Sequence, residues 1–142
     1  MIFGTLKPGR FNGAACNTAD GRPTGILIRN DWDRMGLVDT YITLAHEMRH
    51  VWQHWRLGKE YFGTYQILDE KITLKAYQLQ EPEVDANAYA YRVLLDIFGI
   101  DIIGVGYFTA DTDVIKAVQE RAKAIWPWYS PLMRLHGKIG LV

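Results

Sequence analysis

The chain has 142 residues, nearly half of them hydrophobic, and a formal net charge of zero. That length supports a core without covalent staples, the composition excludes a disordered chain, and the charge balance argues against a general grip on nucleic acid. The single cysteine, Cys16, can form no internal disulfide and leaves no thiol set for a zinc knuckle.

The opening residues lack the apolar stretch of a secretory signal, and no apolar run reaches membrane-spanning length. One cytoplasmic, monomeric domain over residues 1–142 is therefore expected, with no membrane partner. Residues 1–30 read as strands and turns. Asn17-Thr18-Ala19-Asp20-Gly21-Arg22-Pro23 is dense in turn formers and precedes the β-prone Gly25-Ile26-Leu27-Ile28-Arg29. This pattern predicts a hairpin with strands near 11–16 and 25–29.

The first strong helix is expected over about 40–57, with Asp39 as N-cap and Gly58 as its stop. Projected at about 100° per residue, Tyr41, Leu44, Met48, Val51, Trp52 and Trp55 form one apolar arc, which should face the core. Beyond it, Tyr61 to Tyr65 reads as irregular, and Ile67 to Leu79 fits a strand or a short helix. A second helix is expected over about 82–98, with Pro82 in its first turn and Gly99 at its end. Asp111 or Thr112 should cap a third helix that runs to about Trp126 and stops at Pro127. The tail from Trp128 is aromatic and basic and is expected to pack as a short helix or loop. The tryptophans read as core residues, and Cys16 as a buried small one.

On the first helix lies His46-Glu47-Met48-Arg49-His50, a complete H-E-x-x-H set in a chain with four histidines. Residues four apart on a helix sit about 40° apart around the axis and one turn along it. Two imidazoles so placed can point at one metal ion, and the intervening glutamate can take a proton from water beside it. Both histidines project almost opposite the apolar arc, with Thr43, Glu47 and His54 close by.

Catalytic zinc takes three protein ligands and keeps one position for water. His54 is a poor third ligand because it lies about 12 Å along the helix from His46. Glu81-Pro82-Glu83-Val84-Asp85-Ala86-Asn87-Ala88-Tyr89-Ala90 offers three carboxylates. Glu83 projects with Ala86, Asn87, Ala90, Val93, Leu94 and Ile97, whereas Asp85, Arg92 and Asp96 project to a side expected to be solvated, with Glu81 nearer to them. A carboxylate heading a buried face is costly unless neutralised, and a zinc ion would neutralise Glu83. Asn87, one turn on, could hold a ligand histidine by a hydrogen bond. Ala86 and Ala90 would let the two helices approach closely.

His46-Glu47-Met48-Arg49-His50 followed by Glu83-x-x-x-Asn87 resembles the gluzincin clan of zinc metallopeptidases. The run Glu83-Val84-Asp85-Ala86-Asn87-Ala88-Tyr89-Ala90 is similar to the corresponding helix of ImmA/IrrE-type peptidases, and the single-domain minigluzincins share the same economy. The likeness covers about residues 24–98. It departs in having Asn87 where many gluzincins place aspartate, and Asp85 where ImmA/IrrE relatives often have glutamate. Together with the elements read above, an α+β fold is expected: a small N-terminal sheet packed on the active-site helix and on a second, glutamate-bearing helix, with a helical C-terminal part. The resemblance implies a sheet edge before the active-site helix, which Gly25 to Arg29 could provide. It also implies one zinc ion held by His46, His50 and Glu83, with Glu47 as general base in peptide hydrolysis. The substrate would be a protein or peptide lying along a sheet edge near Ile26–Ile28. A small cytoplasmic protein of bacterial or phage origin is expected. Tyr129, Arg134 and His136 are candidates for the oxyanion donor. A weaker resemblance, through His46 to Trp52, is to SprT-like, DNA-associated peptidases. Their third ligand is a histidine shortly after the motif, and here none follows His54 until His136. The other alternative is a non-catalytic zinc domain, which would need a closed set of four ligands and no Glu47.

Overall fold

The computed structural model describes residues 2–6 and 12–125. Three strands open the chain: β1 (Ile2–Leu6), β2 (Gly13–Asn17) and β3 (Pro23–Arg29). β2 and β3 form the expected antiparallel hairpin, with Ala14 opposite Leu27 and Ala15 opposite Ile26. The turn between them closes through the Thr18 N–H on Arg22 O at 2.8 Å. β1 runs parallel to β3, so the sheet order is β1-β3-β2. The most regular apolar run, Gly25–Ile28, is thus the central strand, and β2 is an edge.

Four helices follow: α1 (Leu37–Leu57), α2 (Leu74–Gln78), α3 (Glu81–Phe98) and α4 (Thr112–Ala124). The molecule is α+β with a helical C-terminal part, as expected. α1 starts three residues before the expected position, because Gly36 turns the chain at φ +88° and leaves Asp39 inside the first turn. A carboxylate there still favours the positive end of the helix dipole. Gly58 ends α1 as the sequence suggests, at φ +76°. The undecided stretch 67–79 resolves as turns followed by the short helix α2, whose first turn is capped by Thr73 accepting from the Ala76 N–H at 3.1 Å. Pro82 lies in the first turn of α3, Gly99 takes the left-handed conformation that ends it, and Asp111 caps α4 by accepting from Asp113 N–H. Trp126, Pro127 and the tail fall outside the described residues.

α1 packs against both α3 and the β2–β3 hairpin. Ala86 and Ala90 of α3 are fully buried, consistent with the close approach that small residues allow. A second core lies between α3 and α4, built from Ala88, Val114, Val118, Ala122 and Ile125. Gly13 is needed at the α1–β2 contact: a Cβ there would come within 2.7 Å of Thr43 Cγ2 and 3.0 Å of Glu47 Cγ.

The buried face of α1 differs from the expected one. Thr40, Thr43, Glu47, His50 and Gln53 are buried together with Ala45 and Val51, whereas Met48 is 51 % and Trp55 70 % exposed. Tyr41 and Trp32 are also exposed, and Cys16 is only half-buried. Projection assigns the apolar arc to the core because apolar burial is the usual driving force. Here the polar face lies against α3 and β2, and its polar groups find partners on α3 or within and just before α1, as Thr40 does on Gly36 O and Thr43 on Asp39 O, which removes most of the penalty for burying them. Among the described residues, no helix is long and apolar enough to cross a membrane.

Candidate metal centre

α1 delivers His46 and His50 from consecutive turns, and the first turn of α3 delivers Glu83 across from them. The ligand atoms of these three residues all lie within 4.8 Å of one another, so the group could hold a metal ion. The two Nε2 atoms are 3.0 Å apart, and they lie 3.3 and 3.2 Å from Oε2 and Oε1 of Glu83. Two imidazole nitrogens and one carboxylate suit a borderline cation such as zinc.

Each histidine is held by its other nitrogen. His46 Nδ1 lies 2.8 Å from Asn87 Oδ1, the support expected of Asn87 one turn beyond Glu83. His50 Nδ1 lies 2.8 Å from Oε1 of Gln53. Sequence reasoning passed over Gln53, although its spacing of three from His50 places it on the same helix face.

Glu47 is buried beside the cluster, and burial is the main cause raising its carboxyl above the usual range. For the His46 imidazole, burial alone acts downward, but the hydrogen bond and charge of Glu83, aided by Glu47 and Asn87, push it up to about 9. The Glu83 carboxyl is held far below its ordinary range: burial opposes this, and hydrogen bonds and charge from His46 and His50 prevail. This has a consequence for the metal-free protein. His46 is more basic folded than unfolded, so its contribution is complete below pH 6.5 and is lost as pH rises through about 9. A shift of that size corresponds to roughly 3 kcal/mol. Urea unfolding in chelator should therefore show a midpoint that falls between pH 6.5 and 9, and saturating zinc should relieve the fall by replacing the proton. A midpoint in chelator that rises over that interval would contradict the arrangement.

Two tyrosines complete the wall. The Tyr65 hydroxyl donates to Glu83 Oε1 at 2.8 Å, and the Tyr77 hydroxyl lies 3.1 Å from that of Tyr65. Burial first, then the Glu83 charge, pushes both phenols well above their usual range and keeps them protonated. Tyr65 lies in an irregular segment with no periodicity to mark it. The oxyanion candidates Tyr129, Arg134 and His136 lie outside the described residues. His54 stands apart from the cluster, as expected: its Nε2 is 3.0 Å from Asn17 Nδ2 and its ring stacks on Phe62.

The cluster opens into a cleft of about 750 Å³. One wall is β2 from Gly13 to Asn17. Another is apolar, with Phe62, Ile67, Leu68, Leu74 and Phe108. The edge beside the site is thus β2, not the Ile26–Ile28 segment expected from the sequence, which is paired on both sides.

Asp85 also departs from expectation. It is fully buried, bonded bidentately by Arg49 at 2.7 and 3.1 Å and reached by Arg121 of α4 at 2.8 and 2.9 Å. The Arg49 guanidinium also lies over the Trp52 ring. The projection missed this because Arg121 is 36 residues away and α4 covers the side that appeared solvated. Replacing Asp85 by Ala leaves Arg49 buried without its carboxylate, so a loss of about 3–5 kcal/mol is expected in urea denaturation. A change near zero would show that the pair carries no net weight.

No family model, curated protein or solved structure matches the chain.

Proposed function

We propose that the protein is a zinc-dependent metallopeptidase of gluzincin type, in which His46, His50 and Glu83 hold the ion and Glu47 is the general base. One observation carries this reading. Two nitrogens from one helix and a carboxylate from another converge within 4.8 Å, with a buried glutamate beside them, at the base of a cleft. Among the described residues the group has three donors, and a closed structural site ordinarily takes four.

When bound, zinc supplies a Lewis acid that brings the pKa of a ligated water towards neutrality. Glu47 takes the proton from the attacking water on its carboxylate and passes it to the leaving amine. Its raised pKa suits both steps, since a base too acidic would not accept the proton. Tyr65 donates its one hydroxyl proton to Glu83 and so holds that carboxylate in place. The substrate is a protein or peptide. An extended segment of it adds along β2, an edge strand among the described residues, exchanging main-chain hydrogen bonds, while a side chain enters the apolar wall near Phe62 and Leu74.

The test is digestion of a mixture of unstructured peptides, followed by mass spectrometry. Cleavage should stop when a chelator removes the metal and return on addition of zinc. Cleavage that survives chelation, or no cleavage by zinc-loaded protein, would overturn the proposal.

A further inference from the structure

Gln53 sits at the centre of a chain of bonds whose directions are fixed by chemistry. Its side chain is fully buried. The amide nitrogen lies 3.0 Å from Pro82 O and 2.8 Å from Asp85 Oδ2. A main-chain carbonyl only accepts, and Asp85, bound by the guanidinium groups of Arg49 and Arg121, is a carboxylate that also only accepts. Both N–H bonds of Gln53 are therefore committed to that side. Its Oε1 must face His50 Nδ1, where it can only accept, so the proton resides on Nδ1. With that proton fixed on Nδ1, Nε2 is the nitrogen that faces His46 and Glu83.

The other histidine is not fixed in this way. Asn87 makes one hydrogen bond, to His46, and among the described residues no second bond pins its amide. Asp85 also ties the network to α4, because Arg121 reaches it from a helix that contributes nothing else to the centre.

We infer that Gln53, oriented by Asp85 and Pro82 O, is a positioning residue that locks His50 in its Nδ1–H tautomer, and that Arg121 couples the docking of α4 to metal affinity. The inference rests on the reading of His50 as a metal ligand, but its first half concerns the protein with or without metal. Supporting groups of this kind typically change metal affinity by about 10–100-fold when lost.

The test pairs zinc affinity, from competition with a fluorescent chelator, with long-range proton–nitrogen NMR of the His50 ring in the full chain. The zinc-loaded wild type should show a single Nδ1–H tautomer at His50, and the metal-free wild type a protected proton on His50 Nδ1. Gln53→Met has similar length and can neither accept nor donate. It should weaken zinc by about 10–100-fold and mix the His50 tautomers. Arg121→Gln acts from a partly exposed position and covers the case in which Gln53→Met does not fold. It should weaken zinc by a smaller factor. Arg92→Gln is the control: it removes the bond from Arg92 to Ala122 O between α3 and α4 without touching the network, and its zinc affinity should equal that of the wild type. Wild-type affinity and tautomer in Gln53→Met would overturn the positioning role. Equal weakening in Arg92→Gln and Arg121→Gln would overturn the coupling, since general loosening of α4 would then explain both. If the wild type takes up no zinc, the metal reading fails separately, and the metal-free Nδ1 proton of His50, protected in the wild type and not in Gln53→Met, still decides the role of Gln53.

Discussion

Glu47→Gln is expected to retain zinc with wild-type affinity and to lose peptide cleavage by about 10²–10⁴-fold, the usual weight of a positioned acid–base group. The substitution keeps the shape of a side chain that is buried against β2, so the α1–β2 contact around Gly13 should survive. Only the capacity to take and return a proton disappears. Glu47 belongs to the buried face of α1 but not to the group that converges on one point, so metal content should not follow activity. Full activity in the variant would remove Glu47 from the mechanism. Parallel loss of zinc would make it a ligand or a structural support instead.

Glu83→Ala is the second large effect. It deletes one of three converging donors and frees the Tyr65 hydroxyl of its partner. Zinc affinity should fall by more than the about 10–100-fold associated with losing a supporting group. The metal-free variant should also be less stable, because His46, His50 and the Tyr65 hydroxyl lose the carboxylate they share, so affinity is read at a temperature where the variant is folded. Titration of the variant with zinc gives the answer. Unchanged affinity would take Glu83 out of the centre.

The centre was legible in the sequence to the extent that it is local. Histidines four apart, and a glutamate heading one face of the next helix, are set by helical geometry alone, and Gly58, Gly99 and Asp111 mark helix ends through their own backbone chemistry. Gln53 was equally legible in principle, at one helical turn from His50. Three features were not. The burial of Asp85 depends on Arg121, a pairing across 36 residues that no periodicity encodes. The identity of the edge strand depends on β1 returning parallel to β3, which makes the apolar run central and leaves β2 at the cleft. The buried face of α1 was misread because hydrophobic projection ranks faces by apolar content, whereas this face is stabilised by paired polar groups and leaves Met48 and Trp55 in solvent.

The most direct test of the central claim is anomalous diffraction at the zinc edge from crystals of the zinc-loaded protein. One peak is expected, with His46 Nε2, His50 Nε2 and a Glu83 oxygen at about 2.0–2.2 Å and no fourth protein ligand. A peak elsewhere, no peak, or a fourth protein ligand closing the site would contradict the account.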